Sequence, residues 1–367
     1  MSKDFIMQMR PLFGEEEKKA LSDYMDEDGF LTEFKHTEAF ENEIKKFTGA
    51  KYCFAVNNGT IALTVAALAC GIKPGDEVIV PNFTMVATPN SVKLLGADVK
   101  FVDVDPLSLC LDINEVEKVI TKKTKAIMLV AANGRYPAHG IMNFEKLAID
   151  HGIALIEDAA QALGSFYPDG RHIGRAGLVS TFSFSAPKII STGQGGAIIT
   201  DDDQVANDIS KLKDFGRSGG GNDIHDVIGF NFKFTELQAV VGLQQMKKLP
   251  NRIKRKKEIY REYKTLLNEV EPRIKLLEND LTYTSPWFYE VLCEDKQNLA
   301  QYLKERNIGT RDMYPPINKQ KAYGSNESFP VSENIGKNGL WLPSQVQLNS
   351  SQIEYISENI NQFYNSK

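Results

Sequence analysis

Along the chain, short apolar runs rich in β-branched residues alternate with stretches whose apolar positions recur every three or four residues. EVIVP (77–81), VKFVDV (99–104), KAIMLVA (125–131), IALIED (153–158), LVSTFSF (178–184) and GAIIT (196–200) predict strands. Between most of them TIALTVAALACG, NEVEKVIT and FEKLAIDHG carry helical periodicity. Strand and helix in this order predict an α/β fold with a mostly parallel sheet flanked by helices. From about residue 236 the pattern turns helical: ELQAVVGLQQMKKL, then the basic stretch NRIKRKKEIYREYK (251–264), read as the wet face of an amphipathic helix. WFYEVLCED, a helix near 298–306 and a closing SQIEYISENINQFY predict a smaller C-terminal α+β domain. The division is a large domain over 1–246 and a smaller one over 247–367.

Composition narrows the function. The 367 residues are 42% hydrophobic and 25% charged, ordinary for a globular protein with a large core. A net charge of -5, from 43 Lys and Arg against 48 Asp and Glu, gives no electrostatic reason to bind nucleic acid or an anionic membrane. Four scattered cysteines form no CxxC pair, so neither a metal site nor a disulfide framework is expected. The first residues lack the apolar core of a signal peptide, and no apolar run approaches a membrane span. A cytoplasmic protein is expected.

The polar residues on this frame point to one chemistry. In FSFSAPKIISTGQGG (182–196), Lys188 is the only charged residue, beside apolar neighbours and a glycine-rich segment. Asp158 ends the apolar strand IALIED, where ligands bind in open α/β sheets; as a helix N-cap for DAAQALG it would have a local role instead. Gly59 and Thr60 open a helix whose free N–H groups suit a phosphate, and the Ser183 hydroxyl reaches the same anion. Gly193, Gly195 and Gly196 allow a close approach or a positive φ. A lysine whose pKa is lowered by burial becomes a free amine able to form a Schiff base with an aldehyde. Pyridoxal 5′-phosphate supplies the aldehyde, the phosphate and a ring nitrogen that needs an acidic partner such as Asp158.

NNGTIAL (57–63), GDEVIVPNFT (75–84), IEDAAQALGS (156–165), STFSF followed by Lys188 and TGQGGAIIT, IGFNFKFTELQAVVGLQQMKKL and GLWLPS (339–344) together resemble, in collinear order, the DegT/StrS family of sugar aminotransferases. The resemblance implies a fold-type I pyridoxal-phosphate transferase acting on nucleotide-linked keto sugars. It implies that Lys188 bonds the cofactor and shuttles the substrate proton, that Asp158 pairs with the ring nitrogen, and that Gln161 sits near the ring's phenolic oxygen. Gly59, Thr60 and Ser183 would hold the phosphate. Asn231 would reach the phosphate of the neighbouring subunit's cofactor, making a homodimer the smallest active unit; alternatively it is an ordinary loop asparagine. A branch of the family has histidine in place of the lysine and removes a sugar hydroxyl, so Lys188 favours transamination.

Several positions depart from the family pattern. Met85 stands where an aromatic residue commonly stacks on the ring, and a thioether can pack there. Ala131, Ala132, Asn133 and Gly134 replace a histidine-aromatic-tyrosine-glycine run, Gln194 a glutamate and Asn318 a histidine. Arg311 and Lys319 are candidate partners for substrate phosphates, or ordinary surface charges. The expected reaction moves an amino group from L-glutamate to a nucleotide-diphosphate 4-keto-6-deoxyhexose in a ping-pong cycle. Its product would be a 4-amino-4,6-dideoxy sugar of the perosamine or viosamine type for a surface glycan such as O-antigen. A 3-keto sugar aminotransferase, a dehydratase or lyase, and a non-catalytic regulator on the same fold are the alternatives.

Overall fold

The computed structural model describes residues 4–27, 29–219, 223–270 and 272–366. In chain order the elements are α1 (Glu15–Asp26), α2 (Lys35–Thr48), β1 (Tyr52–Val56), α3 (Gly59–Ala69), β2 (Glu77–Pro81), α4 (Ala87–Leu94), β3 (Asp98–Val102), α5 (Ile113–Val119), β4 (Thr124–Val130) and α6 (Ile141–His151). Then come β5 (Ala154–Asp158), β6 (Val179–Ser183), β7 (Gly196–Thr200), α7 (Asp203–Lys213), α8 (Glu236–Leu266), β8 (Ile274–Leu276) and β9 (Tyr289–Cys293). The last are α9 (Lys296–Lys304), β10 (Arg311–Asp312), α10 (Pro330–Asn338), β11 (Gly339–Leu342) and α11 (Ser350–Asn365).

Seven strands form one sheet in the order β1-β7-β6-β5-β4-β2-β3, parallel except for β7, which runs against both its neighbours. Alternation along single strands buries both faces. Ile79, Ile127, Leu129 and Leu155 join one cluster under α2, α5, α6 and the first half of α8. Val78, Val80, Met128 and Ile156 join the other, under α3 and α7. Each such side chain, fully buried, contributes roughly 1.5–3 kcal/mol. The reversed strand has a local reason. A parallel return from β6 needs a crossover helix, but residues 184–195 form the loop that carries Lys188, so the chain comes back antiparallel.

The second sheet, β10-β11-β9-β8, is antiparallel and packs with α9, α11 and the end of α8 around a separate apolar cluster. Ile6, from the start of the chain, belongs to that cluster and bridges Ile308. Helix α8 joins the two cores. Its N-terminus carries a capping box from Thr235 and Gln238, and the helix passes through residue 246 and Pro250 without ending. Leu249 lies in the large cluster, Ile259 and Tyr260 in the small one.

The basic stretch within α8 is not uniformly a wet face. Arg252 and Lys256 are buried. Arg252 donates to the carbonyls of Ile189 and Leu12, and Lys256 to those of Trp287 and Ser344. Loops from both cores wrap this side of the helix and present carbonyl oxygens, which long cationic side chains can satisfy.

Candidate active site

Strand β5 lies inside the sheet between β4 and β6, with Asp158 opposite Val130 and Thr181. Only 5% of Asp158 is exposed. No helix follows it: residues 159–165 are turns, and one carboxylate oxygen accepts the Ala160 N–H at 3.2 Å. The other accepts the Thr88 hydroxyl at 2.8 Å. Burial raises the carboxyl's pKa; Thr88, the nearby Lys188 charge and the Ala160 N–H offset part of that rise.

Lys188 approaches from the next loop. Its backbone N–H is held by Ser185 at 3.0 Å, and Arg252 grips the Ile189 carbonyl at 2.8 Å. On the other side the Trp287 indole N–H donates to the Pro187 carbonyl at 2.8 Å, and the Lys188 amine lies 4.4 Å from that ring's centre. Burial lowers its pKa from 10.5 to about 8, and the Asp158 charge opposes the fall. A minor but useful share of the amine, roughly one in ten, is therefore free near neutrality.

The phosphate side is built from backbone. Asn58 caps α3, its side chain accepting the Ile61 N–H at 2.9 Å. The N–H groups of Gly59 and Thr60 precede any intrahelical acceptor. Close packing explains the glycines. A Cβ on Gly59 would stand 2.8 Å from the Ser183 Cβ, and one on Gly196 2.6 Å from the Asn58 carbonyl oxygen. Gly193 takes φ +81°.

These groups line one cavity of about 320 Å³. Of the residues singled out in the sequence, Gly59, Thr60, Met85, Asp158, Gln161, Ser183, Lys188, Gln194 and Arg311 meet there. Gln161 accepts the Asn133 N–H at 2.6 Å, and Asn133 itself is buried at φ +52°. Lys319 does not line the cavity; its amine stands 3.8 Å from Glu333. Asn318 is buried and pairs reciprocally with Asn82, at 2.9 Å in both directions, so it braces the fold. Asn231 is exposed, bridged to Asp214, and outside this chain's cavity lining. Trp287 and Tyr314 also line the cavity, though the sequence did not mark either as a site residue. Burial raises the Tyr314 phenol well above its ordinary pKa, so it stays a neutral hydroxyl. A larger groove of about 560 Å³ lies between residues 5–9 and α9 and shares only Arg311 with this cavity.

The donor set fits pyridoxal phosphate: an accessible amine of lowered pKa, a buried carboxylate, and a hydroxyl beside open N–H groups at a helix start, around a space suited to a small ligand.

Comparisons with known proteins agree. The GDP-perosamine synthase of Escherichia coli O157:H7 is 34% identical over 367 residues, covering 99% of this chain and 100% of that protein. The UDP-2-acetamido-2-deoxy-3-oxo-D-glucuronate aminotransferase of Pseudomonas aeruginosa is 33% identical over 320 residues, covering 86% and 87%. Among solved structures, S. venezuelae DesV in complex with a ketimine intermediate superposes with TM-score 0.89 and 30% identity, over 95% of this chain and 94% of that one. Helicobacter pylori PseC, an aminotransferase of pseudoaminic acid biosynthesis, gives 0.91 and 25% over the whole of both. With the pattern of the DegT/DnrJ/EryC1/StrS aminotransferase family matching residues 11–361, the chain belongs to that family and is a pyridoxal-phosphate-dependent aminotransferase.

Proposed function

We propose that this aminotransferase moves an amino group from L-glutamate to a nucleotide-diphosphate-linked keto sugar, a 4-keto-6-deoxyhexose, giving a 4-amino-4,6-dideoxy sugar for a surface glycan. The observation that carries the reading is the Lys188 amine beside Asp158 in a chain whose relatives include GDP-perosamine synthases from E. coli O157:H7 and Vibrio cholerae. The reaction is assigned to the cytoplasm. No helix among the described residues is long and apolar enough to cross a membrane.

Pyridoxal phosphate, when bound, supplies an aldehyde that captures amines and a ring that accepts electrons from the neighbouring carbon. The protein's own groups do the rest. Lys188, partly unprotonated near neutrality, would hold the cofactor through its aldehyde and would serve as the base that moves the proton at the substrate carbon. Asp158 would face the ring nitrogen and favour its protonated form. Gly59, Thr60 and Ser183 would hold the phosphate, and Met85, on the same cavity wall, would offer the ring an apolar contact. Arg311, exposed at the cavity rim with its guanidinium 5.4 Å from the centre of Trp341, takes the substrate's diphosphate.

Asn231 is assigned to the partner's site in a homodimer. Ile228 and Phe230 near it, and Phe30 and Leu31 across the Glu33-to-Phe234 backbone bond, are large apolar side chains left exposed in one chain. Mixing Lys188→Ala with Asn231→Ala tests this: mixed dimers regain one complete site, whereas either variant alone stays impaired. If mixing restores nothing, Asn231 does not serve a partner.

The chemical test supplies L-glutamate and 4-keto-6-deoxy sugars on different nucleotides, then identifies the product by mass spectrometry and NMR. A 4-amino sugar formed one-for-one with 2-oxoglutarate, and lost in Lys188→Ala, is expected. Amination only at carbon 3 would favour the second reading, motivated by the P. aeruginosa 3-oxo sugar aminotransferase. Loss of water without amine transfer would sink both.

A further inference from the structure

Two buried hydroxyls stand behind Asp158. Thr88, in the first turn of α4, is fully buried and sends its hydroxyl to one Asp158 carboxylate oxygen at 2.8 Å. The Thr84 hydroxyl lies 3.0 Å from the Thr88 oxygen and is buried as well. A hydroxyl has one proton, and an ionised carboxylate only accepts. The proton of Thr88 is therefore committed to Asp158, and Thr84 must donate to Thr88. The two side chains form an ordered row of donors ending on the carboxylate, and such rows strengthen each other at low local dielectric. Met85, between them in sequence, points to the cavity, so one short segment supplies both the cavity wall and the support behind the acid.

We propose that Thr88, backed by Thr84, is a positioning residue that keeps Asp158 ionised and aimed at the cofactor's ring nitrogen. The proposal rests on the reading that Asp158 faces that nitrogen. Burial alone favours the neutral acid, which could not stabilise a protonated ring. Besides the Ala160 N–H, the groups around Asp158 are the Lys188 amine, the neutral Tyr314 hydroxyl and, farther along the same cavity, Arg311. Opposite it on β6 is Thr181, whose hydroxyl is buried without a partner. Among the described residues, Thr88 is the one side chain that hydrogen-bonds the carboxylate directly.

The sign follows. A donor to the charged form lowers the carboxyl's pKa, so Thr88→Val raises it. Cofactor retention and turnover are then lost at a higher pH as the solution is acidified. A hydrogen bond to a charged group is worth about tenfold or more, so Thr88→Val should release pyridoxal phosphate about tenfold more readily near pH 6, with a smaller difference near pH 8.5. Thr88→Ser keeps the hydroxyl and should restore retention. Thr84→Val, which leaves Thr88 in place, should shift the acid limb in the same direction by less.

The test measures cofactor loss from the full-length holoprotein on dilution, across pH, with pyridoxal phosphate and with an analogue carrying carbon in place of the ring nitrogen. Thr88→Val and Thr84→Val should weaken retention of pyridoxal phosphate and leave that of the analogue unchanged. If Asp158→Asn discriminates between the two compounds but neither threonine variant does, the threonine proposal is overturned while the role of Asp158 stands. If Asp158→Asn fails to discriminate, the underlying reading falls with it. Should Thr88→Val not fold, Thr84→Val and Thr88→Ser carry the test.

Discussion

A lysine placed for chemistry should destabilise the protein that carries it. Burial brings the Lys188 pKa from 10.5 to about 8. At neutral pH the free amine therefore rises from roughly one molecule in three thousand to roughly one in ten. The same fall, at about 1.4 kcal/mol per tenfold, means that the folded state disfavours the ammonium by up to about 3 kcal/mol; the part of the side chain facing the cavity keeps some hydration and lowers that figure. The sign is definite. Between pH 8 and 10.5 the unfolded chain binds more protons at this site than the folded one, so stability climbs with pH across that window, and the penalty is fully present below it. Lys188→Met keeps the aliphatic bulk and removes the charge. In cofactor-free protein near pH 7 it should be more stable than the parent by as much as about 3 kcal/mol, with the gap closing as pH passes 10.5. Chemical unfolding followed by fluorescence and circular dichroism at several pH values measures it. A variant less stable at neutral pH, or parallel profiles across the window, would refute the claim that burial activates this amine.

Other expectations are more local. Gly59→Ala should lower pyridoxal phosphate affinity at least tenfold and cost the fold about 1–3 kcal/mol, because the new methyl would stand 2.8 Å from the Ser183 Cβ beside the phosphate site; equilibrium titration of the cofactor and chemical unfolding check it. Arg311→Ala should raise KM for the nucleotide sugar about tenfold or more, while Lys319→Ala, outside the cavity lining, should leave it within about twofold. Steady-state kinetics on both variants decides whether cavity lining or sequence proximity identifies the diphosphate partner. Arg135→Met should destabilise the protein by about 3–5 kcal/mol, since it strands Glu290, buried and paired with that guanidinium at 2.5 Å. A denaturation midpoint unchanged from the parent would count against that buried pair.

Local physics made much of this protein readable in one dimension. Short, mostly apolar runs mark β2, β4, β5 and β7 to within a residue or so, because both faces of the sheet are buried. Lys188 stands out because a lone charge in apolar company is unusual, whereas Asp158, Gly59 and Ser183 point to a site only when read jointly with it. Tertiary structure decided what depends on distant segments meeting. Trp287 follows Lys188 by about a hundred residues and reaches it only because α8 sets the second sheet against the first. Thr88 is one more helix-start threonine until folding brings β5 beside it. Lys256 reads as a solvated charge and is buried because two loops surround it with carbonyls. Arg311 and Lys319 look alike along the chain, yet the turn between them sends one to the cavity and the other to Glu333. A sequence records which groups are expensive to bury; only the packed chain determines which partners repay that burial, because those partners are neighbours in space and not in order.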